Sequence, residues 1–214
     1  MKNILIALLL CLPASLAAQT EWDWLEIEEP EPAEETKDEE GKTISVEDAK
    51  YLYGAVPEED GRVVFRTVIE APGKSASQIY AIIHAYMEKM TRQKNQIDQQ
   101  SRIVIEDSIG NNICGVFQEW LNFRASAIEL DRTRFFYNLI ARCSDGKAEL
   151  SMVRIRYLYE ENRDPQTYNA EEWITDKYAI NKKNKLTRMN GKFRKKTIDR
   201  KDYIFQKFAQ LLNE

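Results

Sequence analysis

Residues 62–70 alternate in character, with Val63, Phe65 and Ile69 on one face and Val64, Arg66 and Val68 on the other, the two-residue period of a half-buried strand. Pro72-Gly73 ends it. Ser75 followed three residues later by Gln78 has the form of a capping box, and Ile79, Ile82, Ile83, Tyr86, Met87 and Met90 then recur at helical spacing, which predicts an amphipathic helix. Residues 102–106 and 112–120 read as strands around a Gly110-Asn111 turn, and residues 134–143 and 147–159 flank Asp145-Gly146, a hairpin signal. An antiparallel meander follows. Asn169 and Glu172 predict the cap of a short helix carrying Trp173 and Ile174, and Thr197 is the expected start of a last helix with Ile204, Phe205, Phe208, Leu211 and Leu212 on one face. One strand, one helix, a run of antiparallel strands and a closing helix predict an α+β domain with helices packed on one face of a curved antiparallel sheet.

Upstream of this domain the pattern changes twice. Lys2, an almost unbroken apolar run over residues 4–12 and the small residues Ser15, Ala17 and Ala18 predict that residues 1–19 are a cleaved secretory signal, read beside the alternative of an uncleaved N-terminal anchor. Cys11 sits inside the apolar run with Leu10 before it, which disfavours lipidation. The run is too short to span a bilayer as a mature helix, and nothing after Gln19 approaches the roughly eighteen consecutive apolar residues of a spanning helix. The mature protein is therefore expected in the periplasm or outside the cell, with no transmembrane span. Residues 20–49 are poor in apolar side chains after Ile27 and carry Pro30 and Pro32 among like charges, so they are expected to form an acidic disordered tether. Trp22 and Trp24, interleaved with acids, suggest either a partner-docking peptide or a segment that folds back on its own domain. Residues 50–214 are long enough for one domain with its own core.

Charge is sorted along this layout. Residues 21–48 hold thirteen Asp and Glu against Lys37 and Lys42, a net of −11, whereas residues 50–214 hold 28 Lys and Arg against 22 acids, a net of +6; with Lys2 the total is −4. Residues 177–207 concentrate the positive charge, with twelve Lys and Arg against Asp199 and Asp202. Lys182, Lys183, Lys185, Arg188, Lys192, Arg194, Lys195 and Lys196 are the candidate cationic strip for an anionic ligand, read beside the plainer alternative of a solvated charged face. The acidic tether, opposite in sign, is expected to compete with outside anions for that strip. Leu186 and Phe193 within the strip suggest an ordered arm laid over the body.

Catalytic and metal chemistry find little support. His84, the only histidine, falls at the edge of the helical apolar stripe, with no nucleophile placed beside it by the sequence. One histidine with Cys114 and Cys143 lacks the close ligand spacing of a zinc site, so no metal or other cofactor is expected. No GxGxxG or GxxxxGK occurs among the eight glycines. Glu171 and Glu172 read as first-turn acids of a helix. Pairing residues 112–128 with 133–143 would set Cys143 against Gln118, ~13 Å along the strand from Cys114. That exceeds the ~7 Å reach of a disulfide, so two buried free thiols are expected, with a bridge as the alternative if a bulge shifts the register.

Six separated stretches carry a family resemblance: Gly61-Arg62-Val63-Val64-Phe65, Ala71-Pro72-Gly73-Lys74-Ser75, Leu130-Asp131-Arg132-Thr133-Arg134, Arg154-Ile155-Arg156-Tyr157-Leu158-Tyr159-Glu160, Glu171-Glu172-Trp173-Ile174-Thr175-Asp176, and Gly191-Lys192-Phe193-Arg194-Lys195-Lys196-Thr197-Ile198-Asp199. Together, over residues 51–207, they resemble a family of exported bacterial domains of unknown function, family 4468, with a TBP-like fold. The resemblance implies a TBP-like sheet-and-helix topology and an envelope location, and brings neither an activity nor catalytic residues. A shared shape does not carry DNA binding with it. The expectation is a non-enzymatic envelope binding module working through its sheet face, its cationic strip or both. An anionic ligand or envelope protein is the expected partner, and nucleic acid is disfavoured by the compartment. The alternatives are a hydrolase with a scattered carboxylate site and a structural or assembly component.

Overall fold

The computed structural model describes residues 35–37, 43–45, 49–97, 99–125 and 130–214, side chains of residues 35–37, 43–45, 124, 125 and 130 excepted. The leader, Trp22 and Trp24 lie outside the described residues. Within the stretch expected to be an irregular tether, β1 (Glu35–Lys37) pairs antiparallel with β2 (Thr43–Ser45).

Strands β3 (Glu58–Glu59) and β4 (Arg62–Val63) make a small ribbon before β5 (Phe65–Glu70), where the anticipated alternation holds: Val63, Phe65 and Ile69 are buried and Arg66 and Val68 exposed. Gly73, at φ 82°, turns the chain into α1 (Ala76–Met90). The capping box is formed there: Ser75 Oγ accepts from Gln78 N, and Ser75 N donates to Gln78 Oε1. Ile79, Ile83, Tyr86, Met87 and Met90 face inward from α1.

The meander follows as β6 (Arg102–Asp107), β7 (Asn112–Ala125), β8 (Leu130–Ser144), β9 (Lys147–Tyr159) and β10 (Gln166–Asn169). The sheet runs β10-β9-β8-β7-β6, and β5 also pairs with β9. β9 thus changes partner along its length, with β5 against Lys147 to Met152 and β10 against Arg156 to Tyr159. Between the two, Arg154 at φ 55° and Ile155 together oppose Tyr137, a β-bulge. A second bulge shifts edge strand β6 between Ile103 and Ile105.

The chain closes through a 3-10 turn (Ala170–Glu172), α2 (Asp176–Ala179) and α3 (Arg188–Asn213). Two expectations are corrected here. The helix foreseen from Asn169 is only the 3-10 turn, with no side-chain cap from Asn169; Trp173 stacks on Tyr168 at 3.6 Å and Ile174 is buried. The last helix begins at Arg188, nine residues before Thr197. Thr187 N donates to Ala179 O at 2.8 Å, which ties the helix start to α2. Gly191 allows the first turn to close on Leu186, since a Cβ there would lie 2.9 Å from Leu186 Cβ.

Helix α1 crosses β7, β8 and β9, while α3 packs on β5, β7 and α1, all on one face of the sheet. Phe117, Leu121, Phe135, Tyr137, Leu139, Ala141, Leu150, Met152 and Tyr157 supply the sheet's side of this core. Both cysteines are free and buried, but the register differs from the expected one: Cys114 opposes Ile140, and Cys143 N bonds to Asn111 O. Cys114 and Ile140 share the helix-free face, whereas Cys143 points into the core, so the two thiols stand on opposite sides of the sheet.

Candidate anion-binding face

The cationic strip foreseen in the sequence does not survive folding as one surface. Lys182, Lys183 and Lys185 are exposed on the turn before α3, where Asn181 Oδ1 accepts from Lys183 N and Lys185 N, and Arg188 is exposed on the helix's first turn. Arg194 is fully buried. Its guanidinium donates to the carbonyls of Tyr51, Ile174 and Leu52 at 2.5, 2.7 and 2.6 Å and pairs with Asp176 at 2.6 Å. Lys192 binds Asp131 at 2.7 Å and the Tyr159 hydroxyl at 3.0 Å, and lies 4.6 Å from the ring centres of both Phe123 and Tyr159. Burial pulls its ammonium pKa down and these partners more than reverse it, for a net rise. Lys195 lies 5.0 Å from the Tyr51 ring centre, and Lys196 is half-buried. Two of the eight side chains therefore tie α3 to the body and are not presented to a ligand.

Positive charge gathers instead on the sheet face that carries no helices. Strand alternation forces this: Phe135, Tyr137, Leu139, Ala141 and Cys143 of β8 point to the core, so Arg134, Phe136, Asn138, Ile140 and Arg142 point away. Register sets the outward residues in rows. Arg102, Val116, Asn138 and Val153 lie side by side across β6, β7, β8 and β9, and the next row is Gln118, Phe136, Arg156 and Asn169 across β7, β8, β9 and β10. The two rows and the Arg154 bulge line a depression of about 830 Å³ that extends to Arg62, Val64 and Glu171 beyond the β9 edge.

Ion pairs are distributed unevenly over this face. On one flank Arg66 pairs with Glu59 at 3.0 Å and with Glu149, and Arg142 pairs with Glu149 at 3.2 Å; on the other, Arg134 pairs with Glu161. The centre differs. Among the described residues no ion pair uses Arg62, Arg102, Arg154 or Arg156, and all four are exposed. Glu171 is the one acidic residue in the lining, and its Oε1 accepts from Val63 N at 3.1 Å. The Arg156 guanidinium lies 4.4 Å from the Phe136 ring centre, and Arg132 lies 3.7 Å from that of Trp120. Stacking of this kind holds a guanidinium flat while leaving its edge donors open to a ligand. Burial raises the Cys114 thiol pKa, with the Arg154 charge acting in the opposite sense.

Other chemistry-bearing residues are engaged elsewhere. His84 Nε2 is 3.4 Å from Glu106, and its ring stacks on Tyr80. Glu119 is buried against Arg200, and among the described residues no three His, Cys, Asp or Glu side chains cluster as a metal site would. No helix among the described residues is long and apolar enough to cross a membrane.

The sequence reading missed Arg62, Arg102, Arg154 and Arg156, although a signal was present. Inward residues fall at even positions through Leu150 and Met152 and at odd positions from Ile155 and Tyr157, so the alternation slips by one residue at Arg154.

Comparison with known proteins gives a consistent picture of the fold. Residues 65–158 match a family described as a domain of unknown function (DUF4468) with TBP-like fold. A crystal structure of a DUF4468 family protein from Bacteroides ovatus is 42% identical, with TM-score 0.71, over 78% of this chain and 95% of that one. A TBP-like protein from Parabacteroides distasonis superposes with TM-score 0.60 at 19% identity, over 73% of this chain and 96% of that one, a likeness of fold alone. No curated protein matches the sequence.

Proposed function

The chain belongs to the DUF4468 family, which is defined by a TBP-like fold and by no activity, and from that premise we propose that it is an exported, non-enzymatic binding module whose helix-free sheet face takes an anionic ligand. One observation carries this reading: four exposed arginines without ion pairs among the described residues line a single depression, while Arg66, Arg142 and Arg134 on its flanks are paired with carboxylates. A protein stabilised only by its own contacts gains nothing from like charges grouped in this way, whereas an anion brought among them gains charge-assisted, two-point hydrogen bonds. The Arg154 backbone supports the same reading. A non-glycine residue held at positive φ costs roughly 1–2 kcal/mol, and strain of this kind collects at functional sites. The leader read over residues 1–19 supports the exported location.

Calorimetric titration with inorganic polyphosphate tests the reading. The triple variant Arg102→Ala, Arg154→Ala, Arg156→Ala should bind at least about tenfold more weakly, taking roughly 0.5–1 kcal/mol per exposed charge pair. The control triple Lys182→Ala, Lys183→Ala, Lys185→Ala should bind as wild type does. Loss confined to the lysine variant, or no binding by the wild-type protein, would overturn the assignment.

A further inference from the structure

The shape and lining of the same depression narrow the ligand, and the step rests on the anion-binding reading above. We infer that the face takes an extended acidic oligosaccharide, a sugar chain carrying carboxylates along its length, laid across the strands.

Four features lead there. The first is span. Arg102 stands on β6 and Arg156 on β9, three strand spacings or ~14 Å apart, with Arg62 farther out. No single carboxylate or phosphate bridges that distance, so a ligand that uses both ends must be a chain with repeated charge. The second is the floor. Gln118, Asn138 and Asn169 set amides among Val116, Val153 and Phe136, and those amides make no side-chain hydrogen bond to other described residues. An amide offers both a donor and an acceptor, which suits hydroxyl groups that are themselves both; a bare polyanion has only acceptors to offer.

The third is the state of the aromatic rings. Single-stranded nucleic acids are held by bases stacked on open aromatic faces. On this face Phe136 and Trp120 are already covered by the guanidinium groups of Arg156 and Arg132. The fourth is the character of the depression, which lies along the outer sheet surface and is lined by four arginines, one glutamate and three amides beside eight apolar or aromatic residues, a mixed lining and not the wholly apolar walls an acyl chain needs. Sugar hydroxyls and carboxylates match this mixed lining better than lipid or base does.

The test uses the whole protein without its leader and a ladder of oligogalacturonates from one to six sugars, with affinity read by calorimetry at fixed salt. Affinity should climb with length by at least about tenfold and level off once the chain spans Arg102 and Arg156. Arg102→Ala should remove the gain from length while leaving the shortest ligands unchanged. Asn138→Ala and Gln118→Ala should each weaken the longest oligosaccharide about fivefold, the equivalent of one hydrogen bond, and leave inorganic polyphosphate unchanged. Circular dichroism spectra matching wild type confirm that these outward-facing variants fold. Equal affinity for monomer and hexamer, equal binding of a single-stranded oligonucleotide of the same charge, or amide variants that weaken polyphosphate just as much would each overturn the inference. Polyphosphate binding that needs the arginines, with no oligogalacturonate binding, would sink the sugar assignment alone; absence of both would sink the anion reading beneath it.

Discussion

Replacing Arg200 by methionine should cost the fold about 3–5 kcal/mol, the range for stranding one member of a buried ion pair. Both side chains of the pair are fully buried. Arg200 Nε donates to Glu119 Oε1 at 2.7 Å and Nη2 to Oε2 at 2.8 Å, and Asn95 Nδ2 and Gln96 Nε2 donate to Oε2 at 2.8 and 2.6 Å. Burial alone would lower the guanidinium pKa, but Glu119 more than offsets it and the net shift is upward. With methionine at 200, the carboxylate keeps, among the described residues, its two side-chain amide donors in the buried layer between α3 and β7. At roughly 2–4 °C per kcal/mol for a domain of this size, the melting temperature should drop by about 10 °C. The double variant Glu119→Gln, Arg200→Met removes both charges and should recover much of the loss, a coupling of about 2 kcal/mol or more in the mutant cycle. Urea unfolding followed by circular dichroism measures all four proteins. A single variant within about 1 kcal/mol of wild type, or a cycle that adds without coupling, would refute the claim that this pair joins α3 and the segment after α1 to β7.

Burial raises the thiol pKa of both cysteines, Cys143 to about 11, so little thiolate exists at pH 8; iodoacetamide should label both residues only after denaturation, with no mass change on prior reduction. Arg154→Gly should be more stable than Arg154→Ala by about 0.5–1 kcal/mol, because glycine relieves the left-handed backbone at some entropic cost, and both should lose polyphosphate affinity; thermal melts and calorimetry separate the two effects. Burial, then the hydrogen bond to Asp199, raises the Tyr51 phenol to about 12, and burial raises Tyr86 and Tyr157 further, whereas an unfolded phenol titrates near 10. A folded-state pKa above the unfolded one gives stability that is complete below pH ~10 and lost as the pH climbs toward 12; urea midpoints should be flat from pH 8 to 9.5 and fall steeply above 10, and a flat profile to pH 12 would contradict the burial of these rings.

Strand periodicity and turn chemistry made most of the sheet legible. Asp145-Gly146 and Gly110-Asn111 lie at the turns they imply, and Ser75 with Gln78 caps the helix it should. The start of α3 was hidden because Arg188, Asn190 and Gly191 have no apolar period, and the constraint is tertiary, a close approach of Gly191 to Leu186. Arg194 was misread for a related reason. It stands three residues after Gly191 and four before Ile198 on the inward side, but an arginine carries no hydrophobic signal, and only the carbonyls of Tyr51, Leu52 and Ile174 explain its burial. The four arginines of the depression come from three strands, β4, β6 and β9, far apart in sequence. Their grouping depends on the register between those strands, which local pattern does not fix even where the slip at Arg154 is visible.

The exchange of partners along β9 also bears on how the protein behaves when concentrated. β5, six residues long, and β10, four, share that side of the sheet, so each ends too soon to template a foreign strand over any length. On the opposite margin β6, also six residues long, exposes Val104 and Ile105, yet its ladder is broken between Ile103 and Ile105, and Arg102, Glu106 and Asp107 add charge there. Neither rim is a flat, continuous seam onto which another copy can zip. A crowded compartment can therefore hold much of this protein without its sheets growing into fibrils.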